Sequence, residues 1–450
     1  MSDTTNPWAA PFARLTNVEV LREEARVRGV PLVGLERLEP QAGAMALELG
    51  LSGVFVPTAR ACEIMKRVID AGHAHALAFH ADRKAHLYRC YRQDLDIEPY
   101  APMMLTGLAG TGKSAIRRAI GRLLESQGEV KLDADHEAVP LVPVQAIEVR
   151  ARASISAMLT PLASEDVRTK ESKISASELP DNCAHWLYLT GTCLVLADEL
   201  QFLTLSKVAN AKITEALLVI SYLRTPWFVA ANFSLIHRLK ARAIEERQRL
   251  LAQLILLVPD PPDSADWLEV LQEYQCVAKG LFDFDFVAKA ADLWCLTAGL
   301  KRVLIKLLCL AFRLAREAGY ASVSWELIGT AYRAHEYAPT RGDVESLVLH
   351  GFRGEGLCDD LKSPFDDVHA EIEAYNASLR RVRQAMVAAA ARESSLTASE
   401  QRNLDAIERE ASSSLEKMPR GKPKGGRKRV SPPTANSLVE NFARFKRGKI

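Results

Sequence analysis

Along the chain, short and wholly apolar runs alternate with longer stretches in which apolar residues return every three or four positions. The runs Met103-Met104-Leu105, 140–149 (PLVPVQAIEV), 193–197 (CLVLA) and 226–231 (PWFVAA) are bounded by polar or turn-forming residues. A run of that kind suits a strand covered on both faces. Between the runs the period is helical. After an extended segment at 54–57, Thr58 stands where it would cap a helix to about residue 71, carried by Ile64, Met65, Val68 and Ile69. Ala115, Ile116, Ala119, Ile120, Leu123 and Leu124 make a second apolar face. Ser154 opens a helix to about residue 163, and 207–223 offers Ile213, Leu217, Ile220 and Leu223. Strands and helices in this alternation predict an α/β fold, a parallel sheet with helices on both faces and ligands at the strands' carboxyl ends. Residues 166–180 read as a polar excursion, and 237–256 as one long basic helix.

The pattern changes at Val258-Pro259-Asp260-Pro261-Pro262-Asp263, which no helix or strand tolerates. Beyond it 267–277, 284–296, 300–317 and 325–337 are helical, a small bundle. The expected organisation is an N-terminal appendage over 1–52, an α/β domain over 53–260, a helical lid over 261–340, a helical or partly ordered extension over 341–416, and a tail over 417–450.

Composition sharpens only part of this picture. A chain of 450 residues exceeds one ordinary core, and its 25% charged residues suit a water-facing protein. The net charge of +2 hides a strong local imbalance, because 417–429 carries seven Lys or Arg among Pro and Gly and no acid. Such a segment cannot build a core; it binds phosphates through charge or serves solubility. Leu438, Val439, Phe442 and Phe445, set among basic residues, suit a docking peptide, and 366–411 suits an exposed or partner-dependent helix. The eight cysteines form no C-x-x-C pair, which favours reduced core thiols over disulfides or zinc. His73, His75, His80 and His86 lack a familiar ligand spacing, so a solvated helix is expected there. The N-terminus shows no secretory pattern and no apolar run reaches the ~18 residues of a membrane helix, so a cytoplasmic protein without a membrane role is expected.

The chemistry is concentrated after the first strand. Gly107-Leu108-Ala109-Gly110-Thr111-Gly112-Lys113-Ser114 satisfies G-x-x-x-x-G-K-[ST], the phosphate-binding P-loop. Its glycines let successive N–H groups aim at a polyphosphate, Lys113 reaches the β and γ oxygens, and the Ser114 hydroxyl can hold Mg²⁺. The helix that follows adds its positive end to the same site. The run 193–197 ends in Asp198 and Glu199, the Walker B pattern: Asp198 for Mg²⁺, Glu199 to orient and deprotonate the attacking water. Asn232 leaves the next apolar strand, placed to hold that water or the γ-phosphate. Arg302, with Lys301 as second choice, opens a lid helix from which a cation would lean onto the phosphates. ATP with Mg²⁺ is the implied cofactor, and hydrolysis to ADP and phosphate the implied reaction.

Several of these residues carry a resemblance. Gly53-Val54-Phe55-Val56-Pro57-Thr58, the P-loop, Leu196-Ala197-Asp198-Glu199, the segment 231–235 and above all 246–251 with 257–263 are similar to AAA+ transposition regulators of the TnsC/TniB type, over about residues 53–335. The resemblance implies an AAA+ core with a lid, and a homo-oligomer, ring or helical filament, that forms with ATP on duplex DNA. It implies a role linking a target-selection protein to transposase subunits. Lys113 and Ser114 would be Walker A, Asp198 and Glu199 Walker B, Asn232 sensor 1 and Arg302 sensor 2, with Val54 and Phe55 beside the nucleotide. An arginine finger would come from Arg238, Arg242, Arg247 or Arg249; the resemblance does not carry over DNA-contacting residues, for which Arg150, Arg152, Lys170 and Lys173 are candidates because they sit in loops and insertions after core strands. A replication-initiator or helicase-loader ATPase, and a signalling ATPase scaffold that never meets DNA, are the competing expectations.

Overall fold

The computed structural model describes residues 6–91, 97–125, 128–132, 135, 137–148, 154–171, 173–198, 209–353, 357–365 and 370–395. Seven strands are found among them: β1 Met103–Gly107, β2 Gly128–Lys131, β3 Ala138–Leu141, β4 Val144–Glu148, β5 Leu194–Asp198, β6 Trp227–Asn232 and β7 Gln253–Leu256. Five form one parallel sheet in the order β4-β5-β6-β1-β7, and β2 pairs with β3 in a separate antiparallel hairpin. The P-loop strand β1 is therefore flanked by β6 and β7, with the acid-bearing β5 one strand further out. This is a parallel α/β sheet with the P-loop strand inside it.

Strand periodicity decides what lies on each face. Met103, Leu105, Leu194, Leu196, Phe228 and Ile255 point into a layer made by the helices Ala59–Phe79 and Lys113–Leu124. Met104, Val195, Ala197, Trp227, Val229 and Ala231 point into the other, made by the helices Leu179–Leu189, Ala209–Ser221 and Phe233–Lys240. A third core is helical, with Ala265–Val277, Ala290–Thr297, Lys301–Glu317, Trp325–Arg333, Ala338–His350 and part of Ala370–Ser395 around Trp267, Trp294 and Leu307.

Several expectations change. The run 140–149 is not one strand: Pro140 belongs to the β2–β3 hairpin, and Pro143 separates it from β4. The stretch 237–256 is not one helix either. It comprises the end of Phe233–Lys240, the helix Ile244–Leu250 and then β7, which closes the sheet beside β1. Residues 284–289 do not open a helix; Phe282, Phe284 and Phe286 instead pack edge to face, and the Phe286 N–H donates to Gln275 Oε1 at 2.6 Å. Part of the segment expected to be exposed is packed, since Ile372, Tyr375, Leu379 and Val382 are buried in the lid core with Phe352.

The stretch read as an appendage enters both layers. Trp8, Phe12, Leu15 and Leu21 lie in the first sheet layer, while Ala44, Leu47 and Leu51 of the helix Pro40–Gly53 lie in the lid core against Lys301–Glu317. The histidines are corrected most sharply. His75, His80 and His86 are buried rather than solvated: His80 and His86 stack on Tyr188, His86 also on Trp8, and His75 meets Tyr100 edge-on. All eight cysteines are free thiols; Cys358 is exposed, and Cys90 and Cys276 are half-buried, so not every one is a core residue.

Candidate functional site

The site is built from the end of β1 outward. Gly107 ends the strand and Gly110 and Gly112 follow it, with φ of 87° and 110°, left-handed values that suit glycine. At Gly107 the reason is space: a side chain there would meet the Leu257 carbonyl at 2.1 Å. The loop thus turns tightly enough to begin the helix Lys113–Leu124 immediately. Lys113 Nζ donates to the carbonyls of Gly107 and Leu108 at 2.9 and 2.8 Å, and Thr111 Oγ1 donates to Leu108 at 3.0 Å. Burial, reinforced by the Arg302 guanidinium and opposed by Asp198 and Asp360, brings the Lys113 ammonium down to about 7.

Parallel pairing then carries the polar chain ends to the same edge. Gly107 lies opposite Asn232 in the β1–β6 register, and β5 delivers Asp198 one strand beyond. Ser114 Oγ donates to Asp198 Oδ1 at 3.3 Å, and Arg117 Nε donates to Asp198 Oδ2 at 3.1 Å. Ser114 and Asp198 thus offer two hard oxygen donors side by side, the donor type that Mg²⁺ takes. The residues fit that ion, which would supply charge neutralisation on the phosphates when bound. Glu199 lies outside the described residues.

The lid closes the site through backbone as well as charge. Ala298 and Gly299 both have positive φ, 51° and 71°, which turns the chain into the helix Lys301–Glu317. The Arg302 N–H donates to the Gly110 carbonyl at 3.3 Å, and its Cβ lies 2.9 Å from where a side chain at Gly110 would begin. Only glycine lets the lid helix approach the loop this closely. Tyr375 Oη donates to the Ala298 carbonyl at 2.8 Å from the far side of that turn. Lys301, which also lines the cleft, pairs with Asp260 at 3.0 Å, so the Pro-rich break is tied to the lid helix.

One cleft collects these groups. Leu108 lies beneath it, buried in the lid core, whereas Ala109, Gly110, Thr111, Gly112, Lys113, Ser114, Asp198, Asn232 and Arg302 line it. Val54 and Phe55 line the opposite wall with Tyr274 and Ile305, an apolar end suited to a base. Phe55 is held there by a two-way backbone bridge to Val27, at 2.9 and 3.0 Å. The N-terminal segment therefore shapes the pocket, and Glu48 and Ser52 of the helix Pro40–Gly53 line it too. Sequence reading missed these two and Arg117. Arg117 had a signal, since it stands one helical turn after Ser114 on the same face.

The finger and DNA candidates do not enter the cleft lining. Arg242 is held by Glu246 at 2.8 Å, Arg249 lies over the Tyr222 ring at 5.0 Å, Arg238 is half-buried and Arg247 is exposed. Lys170 and Lys173 are exposed on the polar excursion, and Arg150 and Arg152 lie outside the described residues.

The fold and the pocket together are those of a P-loop nucleotide-binding protein. No family model matches the chain, and no curated protein matches it. Solved structures to which it is similar include the Aeropyrum pernix ORC1 protein in complex with DNA, at 19% identity and TM-score 0.38 over 59% of this chain and 67% of that one. The Cdc6p of Pyrobaculum aerophilum shows 14% identity and TM-score 0.35 over 63% and 80%. The Thermotoga maritima RuvB Holliday junction branch migration motor shows 12% and 0.29 over 64% and 71%. At such TM-scores these likenesses add nothing to an assignment that rests on strand order and on the loop.

Proposed function

We propose that the chain hydrolyses ATP to ADP and phosphate, and that nucleotide state controls its assembly on duplex DNA, where it links a target-selection protein to a transposase. The observation that carries the ATPase part is the meeting of Lys113, Asp198, Asn232 and Arg302 around one apolar-ended cleft. In this reading Lys113 and Arg302 hold the β and γ oxygens, and Asn232 holds the attacking water. Glu199 takes the proton of that water as its oxygen bonds to the γ-phosphorus; the bond to the β–γ bridging oxygen breaks and ADP leaves. Ser114 and Asp198 would hold Mg²⁺.

The transposition part rests on the segments 246–251 and 257–263, whose resemblance to TnsC/TniB regulators is more specific than the generic loop. A site at which nucleotide binds lid and sheet together suits a timer of assembly. The test is ATP hydrolysis and DNA pelleting with Glu199→Gln and Lys113→Ala. The expected outcome is a fall of at least about 10²-fold in kcat for Glu199→Gln with ATP-bound oligomers retained on DNA, and loss of nucleotide binding for Lys113→Ala. Hydrolysis at the wild-type rate by Glu199→Gln would remove Glu199 from its role, and absence of DNA binding in every nucleotide state would remove DNA.

A further inference from the structure

Asp198 has a neighbour that its role does not require. Arg117 Nε donates to Oδ2 at 3.1 Å while Ser114 Oγ donates to Oδ1 at 3.3 Å, so each carboxylate oxygen already serves a donor of the P-loop helix. The Arg117 and Asp198 side chains are 18% and 17% exposed, which places the pair largely out of water. In so sheltered a position a guanidinium on a carboxylate is a strong, directional contact rather than a solvated surface pair. It also sets a fixed positive charge beside the two oxygens that suit Mg²⁺.

We infer that Arg117 is a resident counter-cation of Asp198 that makes Mg²⁺ entry conditional on the nucleotide. This rests on the ATPase reading above and on the balance of charge in the cleft. Alone, Asp198 would attract a divalent ion to the pocket. With Arg117 on Oδ2 its charge is already answered, and a divalent ion meets repulsion from the guanidinium and from Arg302, which lines the same cleft. Phosphate oxygens bring the negative charge that restores the balance, and more of it arrives with a triphosphate than with a diphosphate. Metal hold is therefore weaker with the diphosphate than with the triphosphate, which favours release of product. Arg117 does not touch the reacting atoms, so it is a positioning residue acting through Asp198.

The test is a Mg²⁺ titration of fluorescent ADP binding to the full-length protein, read by anisotropy with no turnover required. Arg117→Gln, which keeps a donor and removes the charge, should lower the Mg²⁺ concentration for half-effect roughly tenfold, the scale on which outer partners of metal sites act. Arg117→Lys, which keeps the charge, should stay within about twofold of wild type, and Asp198→Asn should abolish the Mg²⁺ effect in either background. A second readout is the melting temperature in Mg²⁺ without nucleotide, which should rise for Arg117→Gln and not for wild type. An unchanged or raised half-effect concentration in Arg117→Gln, or an equal shift in Arg117→Lys, overturns the inference. Should Arg117→Gln not fold, a half-effect concentration in Arg117→Lys that departs from wild type by more than about twofold overturns it, and one within that range supports it. Failure of the wild type to bind the fluorescent nucleotide at any Mg²⁺ concentration would instead overturn the ATPase reading on which it rests.

Discussion

At the scale of single residues the most informative group is Lys113. Its ammonium is buried, donates to two loop carbonyls, and sits at about 7 because burial and Arg302 together oppose the charge. The folded value lies below the ordinary 10.5, so the charge costs stability fully below about pH 7, and that cost is relieved as pH rises toward 10.5. A polyphosphate reverses the preference by supplying negative charge, and binding must then take up a proton wherever free Lys113 is neutral. The expected outcome is that triphosphate affinity falls as pH rises above about 7, by up to tenfold per unit. Calorimetry at pH 8 in two buffers of different ionisation enthalpy should give different apparent heats for wild type and equal heats for Lys113→Arg, whose charge persists. Equal heats for wild type, with affinity flat between pH 7 and 9, would remove this account of the lysine. Asp198 shows the complementary lesson: its own context suggested a metal ligand, while its contact with Arg117 was legible only from the place of Arg117 one helical turn after Ser114.

At the scale of elements, the sequence disclosed what depends on local period and concealed what depends on partners. β1, β5 and β6 are continuous apolar runs ending in Gly107, Asp198 and Asn232, and the Thr58 and Ser154 caps are made as expected, at 3.3 and 3.1 Å. β7 was illegible because Gln253–Leu256 follows a helix whose apolar residues continue into it without a glycine or proline break. Only pairing with β1 makes it a strand. The histidines were illegible for the same kind of reason. His80 Nδ1 and His86 Nδ1 are 2.9 Å apart, and both rings stack on Tyr188, at 4.6 and 4.9 Å between centroids. His75 Nδ1 meets Tyr100 Oη at 3.0 Å. Burial lowers His86 to about 4 and His75 to about 3, and holds His80 well below 6.5. These folded values lie below the unfolded one, so the stability they allow is complete above about pH 6.5 and is lost as pH falls toward 4. Melting temperature should therefore fall between pH 6.5 and 4.5, by an amount worth a few kcal/mol at about 1.4 kcal/mol per unit. His86→Phe keeps a ring between Trp8 and Tyr188 and should flatten that dependence, whatever it does to stability at pH 7. An acid slope in His86→Phe as steep as in wild type would acquit the cluster.

At the scale of the molecule, the nucleotide cleft is where three parts of the chain meet: the sheet, the lid and the N-terminal segment that holds Phe55. Lid and sheet are also joined away from the cleft, by Arg60 between the Leu256 carbonyl and Glu371, by His237 on the Lys362 carbonyl, and by Phe233 against Phe352. Through Tyr375 the helix Ala370–Ser395 touches the turn that precedes Arg302, so that helix connects the P-loop cleft to the residues beyond it. Those residues include the seven basic side chains of 417–429, with Arg444, Lys446, Arg447 and Lys449 further on. A cationic segment of this composition binds duplex DNA through phosphates, and its signature is a steep salt dependence rather than sequence preference. Deleting 417–450 should leave ATP hydrolysis without DNA within about twofold of wild type, because every described residue that lines the cleft precedes that segment. It should weaken duplex binding at least tenfold near 0.1 M salt and reduce the slope of log affinity against log salt by several units, at roughly 0.9 for each phosphate no longer neutralised. Binding measured from 50 to 200 mM salt with ATP and with ADP separates the tail from an assembly interface. A slope that falls equally in both nucleotide states assigns the charge to the tail, while a slope that survives deletion with ATP alone places the DNA contacts on the folded oligomer.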